Sequence, residues 1–340
     1  MNHAVLTLHC PLLLSNRMPD GSESDETVRR GEFTASTHMS VTNMYASRGL
    51  QILSQMIAAG GGANASRYAA EAASLTAAIN ALMWNGSNFC DGVCAEVGGN
   101  SRLMSNMFAL DFGLVPQAHV ADAWNVVTQW GLEQIGDFGA FWYQMAVASG
   151  YYSPYYPTPS SDDGSSTVLA LTKCDQYSWC SGLRDDNLTM TRESWHDGTY
   201  SHGWGTSALV GVSWGIAGIH VTEPGWAAFI VKPKLGPLQT ITIRTPTIRG
   251  YINVTATPLA LDVAVPCNAR ATLCAPRSAS DGGALTAATH ALLLNGEEVD
   301  APLESGGHLC LPAEVGCGAA GAAWRLRAVP RRRAGGVRGA

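Results

Sequence analysis

Residues 215–254 read GIAGIHVTEPGWAAFIVKPKLGPLQTITIRTPTIRGYINV, and the texture of the chain changes inside them. From Gly218 onward, short segments rich in Val, Ile and Thr follow one another: Phe229-Ile-Val, Thr240-Ile-Thr-Ile, Tyr251-Ile-Asn-Val and Leu261-Asp-Val-Ala-Val. Glycines and prolines punctuate them at a spacing of roughly 8 to 12 residues, which is the pattern of an antiparallel sandwich. Ala291-Leu-Leu-Leu running into Asn295-Gly296 reads as a strand that ends in a tight turn.

Upstream of this stretch the apolar residues recur at helical spacing. Two helices are predicted within 38–84, in SVTNMYASRGLQILSQMIAAG and RYAAEAASLTAAINALMW, parted by Gly60-Gly61-Gly62 with Asn64 or Ser66 as the second helix's cap. Further helical candidates cover 101–113, 117–132, 138–149, 166–180 and 203–217. The expected fold is therefore mainly α followed by β: about seven helices, where a closed toroid of helical hairpins takes roughly twelve, so that half of such a ring is missing or the domain is open, and a C-terminal antiparallel β-sandwich. The expected domains are a partial barrel over 1–219, the sandwich over 220–317, and an Ala/Gly/Arg-rich tail over 318–340 that stands outside the fold.

Composition excludes several classes. The 340 residues are 46% hydrophobic and 14% charged, enough apolar content for a sizeable core and too little charge for a disordered chain. No stretch approaches the ~20 apolar residues of a membrane helix, so no membrane role is expected. The net charge of -6 hides an asymmetry: without Arg325, Arg327, Arg331, Arg332, Arg333 and Arg338 the balance is 15 basic against 27 acidic residues, or -12. Such a body repels a phosphate backbone, and no nucleic-acid partner is expected.

Eight of nine cysteines are near neighbours: Cys90 with Cys94, Cys174 with Cys180, Cys267 with Cys274, and Cys310 with Cys317. Only the first pair has a zinc-like spacing, whereas local disulfides in an oxidising compartment account for all four. Buried free thiols are the other reading. Four Asn-x-Ser/Thr acceptor patterns, at Asn64, Asn85, Asn187 and Asn253, point the same way as the disulfides, toward secretion. Met1 to Leu14 lacks the basic start and unbroken apolar run of a signal peptide.

The densest collection of polar and aromatic side chains is Thr189-Met-Thr-Arg-Glu-Ser-Trp-His-Asp-Gly-Thr-Tyr-Ser-His-Gly-Trp-Gly. Tryptophan faces stack on sugar rings, while Glu, His and Asp bind hydroxyls or activate water. The alternative is a polar loop that caps the following helix, with Trp204 and Trp214 in the core. No nucleophile triad or phosphate loop is present, and the six-residue spacing of His196 and His202 matches no helical ligand pair, so neither metal nor cofactor is expected.

TMTRESW, then SHGWG, then the crossover into the sandwich, resemble the C-terminal part of α-L-rhamnosidases of glycoside hydrolase family 78. The resemblance extends back through MFALDFGLVPQ and WNGSNFCDGVCAE and forward into LDVAVPCNARATLCAP and LLLNGEEV. It implies an incomplete (α/α)6 toroid ahead of the sandwich, and inverting, two-carboxylate hydrolysis of terminal α-L-rhamnosides, with rhamnose-containing glycans or glycosides as partners. Glu193 matches the family's general base and His202 its sugar-contacting histidine, while Trp195 and Trp204 occupy aromatic positions expected to shape the pocket. Arg192 departs from the family, which carries an apolar or aromatic residue there. A guanidinium at this place would favour the ionised form of Glu193.

The family's acid element, Asp-x-x-x-Arg-x-Glu, has no counterpart in residues 1–37. Asp20, Glu23, Asp25, Glu26 and Glu32 read as a solvated acidic loop. The sequence thus predicts a weak hydrolase, a fragment that keeps the base but lacks the acid. The alternative is a secreted, non-catalytic carbohydrate-binding relative.

Overall fold

A computed structural model describes residues 39–98, 103–132, 135–152, 163–185, 187–196, 198–278, 280 and 284–331. Contacts divide the chain into two compact units, Met1–Ile135 and Gly136–Ala340. The change from helix to strand falls at Gly218, inside the second unit.

In the first unit, α1 (Ser40–Ala59) and α2 (Ala65–Leu82) form a hairpin that turns at the predicted glycines. Gly61 has φ +73, and a Cβ on Gly62 would lie 2.6 Å from Ile57 Cγ2, so the tight turn admits little else. Asn64 occupies the cap position of α2 without a side-chain hydrogen bond. The helices α3 (Leu103–Asp111) and α4 (Val120–Gln129) come next. The buried Asn106 carboxamide accepts from Phe89 N–H at 2.9 Å and donates to its carbonyl at 3.2 Å, pinning a loop that the Cys90–Cys94 disulfide closes.

The second unit begins with α5 (Asp137–Tyr152), α6 (Ser165–Thr172) and α7 (Trp179–Arg184). The single helix expected over 166–180 is broken after Thr172. Asp175 Oδ1 accepts the Tyr177 N–H at 3.0 Å and Ser178 Oγ accepts the Ser181 N–H at 3.1 Å, so local caps start a new helix. The Cys174–Cys180 disulfide spans the break. The last helical segment tightens to a 3-10 turn over Gly203–Ser207, passes through α8 (Ala208–Val210), and widens to a π turn over Gly211–Ile216. Its two glycines face partners: a Cβ at 211 would meet Gln144 Oε1 at 2.8 Å and one at 215 would meet Thr167 Cγ2 at 2.7 Å.

Eleven strands are described beyond Gly218. A six-stranded antiparallel sheet has the order β3 (Ile241–Thr247), β4 (Gly250–Thr257), β5 (Ala260–Ala264), β11 (Trp324–Pro330), β7 (His290–Leu294), β8 (Glu297–Glu298). A second sheet holds β1 (Ile219–Val221), β2 (Ala228–Val231) and β6 (Arg270–Leu273), with β2 and β6 parallel. Strands β9 (Leu303–Ser305) and β10 (His308–Cys310) pair with each other. The two-residue alternation along β4 sends Ile252, Val254 and Ala256 inward and Tyr251 and Asn253 outward. Phe229, Val231, Leu261, Leu273, Leu292 and Leu326 join the inward set in one apolar core. Asn295 (φ +53) and Gly296 (φ +95) make the predicted tight turn between β7 and β8.

Two expectations need correction. The arginine-rich tail does not leave the fold at 318: β11 lies between β5 and β7, with Leu326 and Ala328 buried and Arg325 and Arg327 on the outer face. The apolar residues that alternate with these arginines make the segment an interior strand. Arg332, Arg333 and Arg338 lie outside the described residues. The last four paired cysteines bond across the sandwich as Cys267–Cys317 and Cys274–Cys310 instead of locally, because Cys274 and Cys310 face each other as bridge partners.

Candidate active site

A short hairpin carries the conspicuous stretch. Arg192 and Tyr200 pair as an antiparallel bridge, and the Glu193 N–H donates to Thr199 O at 3.0 Å. The turn between them needs Gly198, whose φ is +89 and where a Cβ would lie 2.6 Å from Glu193 Cβ. Thr191 ties the hairpin to the start of the 3-10 turn: its Oγ donates to His202 O at 2.7 Å, and its carbonyl accepts the His202 N–H at 3.4 Å. A Cβ on Gly205 would meet Arg192 O at 2.6 Å, so glycine there permits the close crossing of two backbones.

Glu193 is half-buried, and its Oε2 is fixed twice by Thr199, whose N–H and Oγ–H both donate at 3.0 Å. The Trp204 indole donates to Glu193 O at 2.6 Å, and its ring lies against His202 with centroids 3.9 Å apart and 41° between planes. Phe138 meets the edge of Trp204 at 5.4 Å. The His202 Nδ1 is buried with no hydrogen-bond partner among the described residues. Glu193, His202 and Trp204 are thus brought together, as a carboxylate, an imidazole and a partly exposed aromatic face. Such a set can position a water and bind hydroxyls.

Trp195 goes elsewhere. It is 7% exposed and packs edge-to-face on Trp179, centroids 5.2 Å apart. The two indoles line a largely apolar cavity of about 330 Å³ with Leu183, Leu188, Met190 and Leu209. Arg192 borders the same cavity, buried, its guanidinium donating to His196 O at 3.0 Å. Trp195 therefore supports the hairpin from the side of the cavity. His196 rests on Tyr177, ring centroids 5.3 Å apart, and is not grouped with His202. Among the described residues, no three or more His, Cys, Asp or Glu side chains stand close enough to hold a metal.

Residue reasoning overlooked Thr199 and Trp179. Thr199 stands within the quoted stretch, but its role depends on the hairpin closing at Gly198. Trp179 lies 26 residues from Gly205, whose carbonyl it bonds at 2.9 Å, and no spacing signals that contact. The acids Asp20, Glu23, Asp25, Glu26 and Glu32, and Asp197 of the hairpin, lie outside the described residues. A carboxyl with an unusual environment occurs in the first unit: burial pushes Asp111 up to about 7, against the pull of Arg48.

Residues 218–288 match the family model of the bacterial alpha-L-rhamnosidase C-terminal domain. The structure of alpha-L-rhamnosidase from Dictyoglumus thermophilum aligns at TM-score 0.64 and 16% identity, covering 85% of this chain and 31% of that one. A family 78 rhamnosidase from Bacillus sp. GL1 aligns at TM-score 0.48 and 19% identity, over 64% of this chain and 23% of that one. No protein of curated function matches significantly. The chain thus spans about a third of the first of these enzymes and shares its fold of helices followed by a sandwich, while residues 218–288 are similar to the bacterial α-L-rhamnosidase C-terminal domain.

Proposed function

We propose that the chain supplies the general-base side of an inverting α-L-rhamnosidase site. Glu193 takes the proton of a water attacking the anomeric carbon, and His202 and Trp204 hold the sugar. Trp195 braces the hairpin behind them. The observation that supports this most is the double anchoring of Glu193 Oε2 by Thr199 beside the stacked His202–Trp204 pair. A carboxylate held in one orientation accepts a proton from a positioned water without first reorganising. The substrate is a terminal α-L-rhamnoside, neutral and suited to a chain of net charge -6. Four disulfides support an oxidising compartment, outside the cell, as the protein's location.

Inverting hydrolysis also needs a proton on the departing oxygen, from a second carboxyl about 6.5 to 9.5 Å from the first. The sequence holds no acid element of the family's type, so the chain should act on leaving groups that depart without a proton. The decisive substrate is α-L-rhamnosyl fluoride. Fluoride release with formation of β-L-rhamnose is expected, reduced about 10²- to 10⁴-fold by Glu193→Gln, with little turnover of an alkyl α-L-rhamnoside. Equal rates for the parent and Glu193→Gln chains would sink the catalytic reading. L-rhamnose binding detected by tryptophan fluorescence in that case would favour the carbohydrate-binding alternative.

A further inference from the structure

We propose that Asn253 carries an N-linked glycan whose first sugar packs on the outer face of the six-stranded sheet, beside Tyr251 and Arg244. The inference rests on the reading of the chain as secreted. Of the four acceptor patterns, the one at Asn253 lies in a regular strand, β4. Because side chains alternate along a strand, Tyr251, Asn253 and Thr255 of Tyr-Ile-Asn-Val-Thr all point to one face, and Asn253 is exposed there. An aromatic ring, the acceptor carboxamide and the hydroxyl required by the acceptor pattern therefore stand in a row.

The neighbours across the sheet fit a sugar. On one side Asn253 pairs with Ala264 of β5, whose side chain is a single methyl group. On the other it pairs with Arg244 of β3, whose guanidinium carbon lies 3.5 Å from the centroid of the Tyr251 ring. Tyr251 is 51% exposed, so part of its ring is open to an apolar sugar face. Stacking fixes the Arg244 head in place, which presents its N–H groups to the acetamido carbonyl of an N-acetylhexosamine.

The other three acceptors lack this setting. The residue two before each is Gly62, Met83 or Asp185, not an aromatic. Asn85 already uses its Oδ1 to accept from Ser87 N, Ser87 Oγ and Asn88 N, each at 3.0 Å, and its Nδ2 donates to Asn88 Oδ1 at 2.8 Å. Asn187 has a left-handed backbone, with φ +51.

The transfer uses a lipid-diphosphate-linked oligosaccharide. The Asn253 carboxamide nitrogen attacks the anomeric carbon, a C–N bond forms and the C–O bond to the diphosphate breaks. The lipid diphosphate leaves with the electron pair, and one amide proton passes to the transferring enzyme's base.

The test is to express the chain behind a cleavable secretion signal in eukaryotic cells and treat it with peptide N-glycosidase in oxygen-18 water. The tryptic peptide covering 250–270 should then carry a labelled aspartate at 253, and Asn253→Gln should remove that glycan alone. Deglycosylation should lower the melting temperature of the parent by about 1 to 4 °C, and by nothing measurable in Tyr251→Ala. An unmodified peptide 250–270 in a chain with its disulfides formed overturns the glycan and leaves secretion standing. A chain recovered reduced and unglycosylated overturns both. An equal shift in Tyr251→Ala overturns the packing on Tyr251.

Discussion

Leu261 and Glu193 belong to the same compact unit and are held by opposite means. Leu261 sits fully buried in β5, between β4 and β11, where a two-residue alternation repeated in strands far apart in sequence fixes its place. Glu193 sits in a hairpin closed between Arg192 and Tyr200, where one threonine, one indole and one glycine with positive φ hold it. The sandwich shares its core among many residues, so a defect there is felt as lost cooperativity of the whole unit. The hairpin adds little to the core, so a defect there moves the carboxylate and leaves the fold standing. Substitutions in the two regions should therefore separate stability from chemistry.

The largest effect is expected in the core. Leu261→Ala removes a side chain from a site closed on both sides by strands and should cost about 2 to 5 kcal/mol by denaturant unfolding. Below its lowered melting point the variant should still hydrolyse rhamnosyl fluoride at the parent rate. A lost rate with unchanged unfolding would break the contrast between the two regions.

Acid comes next. Full burial drives His308 down to about 3 despite its bond to Ala275 O at 2.7 Å, and burial likewise drives His220 down to about 4 despite Trp214 O at 3.1 Å. Both imidazoles stay neutral in the fold but take up protons below about 6.5 when the chain unfolds. Stability present above 6.5 is therefore lost as pH falls toward 4, by about 1.4 kcal/mol per unit for each histidine. In the first unit the sign reverses: the Asp111 pKa, raised from 3.8 to about 7, makes that unit lose stability as pH rises between those values. Hydrogen exchange at pH 7 and pH 4.5 should show the sandwich amides less protected in acid and the α3 amides better protected in acid. Parallel changes in both units would refute the assignment.

In the hairpin, Gly198→Ala should be mild for folding and severe for chemistry. The new methyl group would press on Glu193 Cβ and stand 3.0 Å from Oε2, at a φ of +89 that alanine resists. A displacement of about an ångström at a catalytic group costs about 10²-fold in rate. Fluoride release should fall by that amount while the far-ultraviolet spectrum stays unchanged. An active Gly198→Ala would mean that Glu193 is not the working carboxylate.

Legibility in the sequence divides along the same line. The alternation in Tyr251-Ile-Asn-Val and Leu261-Asp-Val-Ala-Val announces strands because period-two burial is a local property of the chain. The parallel pairing of β2 with β6 and the Cys274–Cys310 bond are not local, since both depend on which strands meet. Strand β11 escaped because its arginines dominate the composition while Leu326 and Ala328 carry the burial. At the site, Glu193, His202 and Trp204 stood out through a family likeness. Thr199 did not, because a threonine acquires its role only when a glycine folds it back onto the carboxylate.

The smallest effect belongs to the arginines of β11, where neighbouring positions make the comparison sharpest. Arg325 bonds Asp262 Oδ1 at 3.0 Å, but the two side chains are 61% and 44% exposed. In that setting water competes for both charges, and holding two long side chains in one geometry costs entropy. Arg325→Ala should therefore change stability by less than about 1 kcal/mol, and the change should vanish in molar salt. Leu326→Ala, one residue along and fully buried, should cost about 2 to 5 kcal/mol and be indifferent to salt. Similar losses at the two positions would mean that β11 is held by its ion pairs and that its charged face, not its buried one, places it in the sheet.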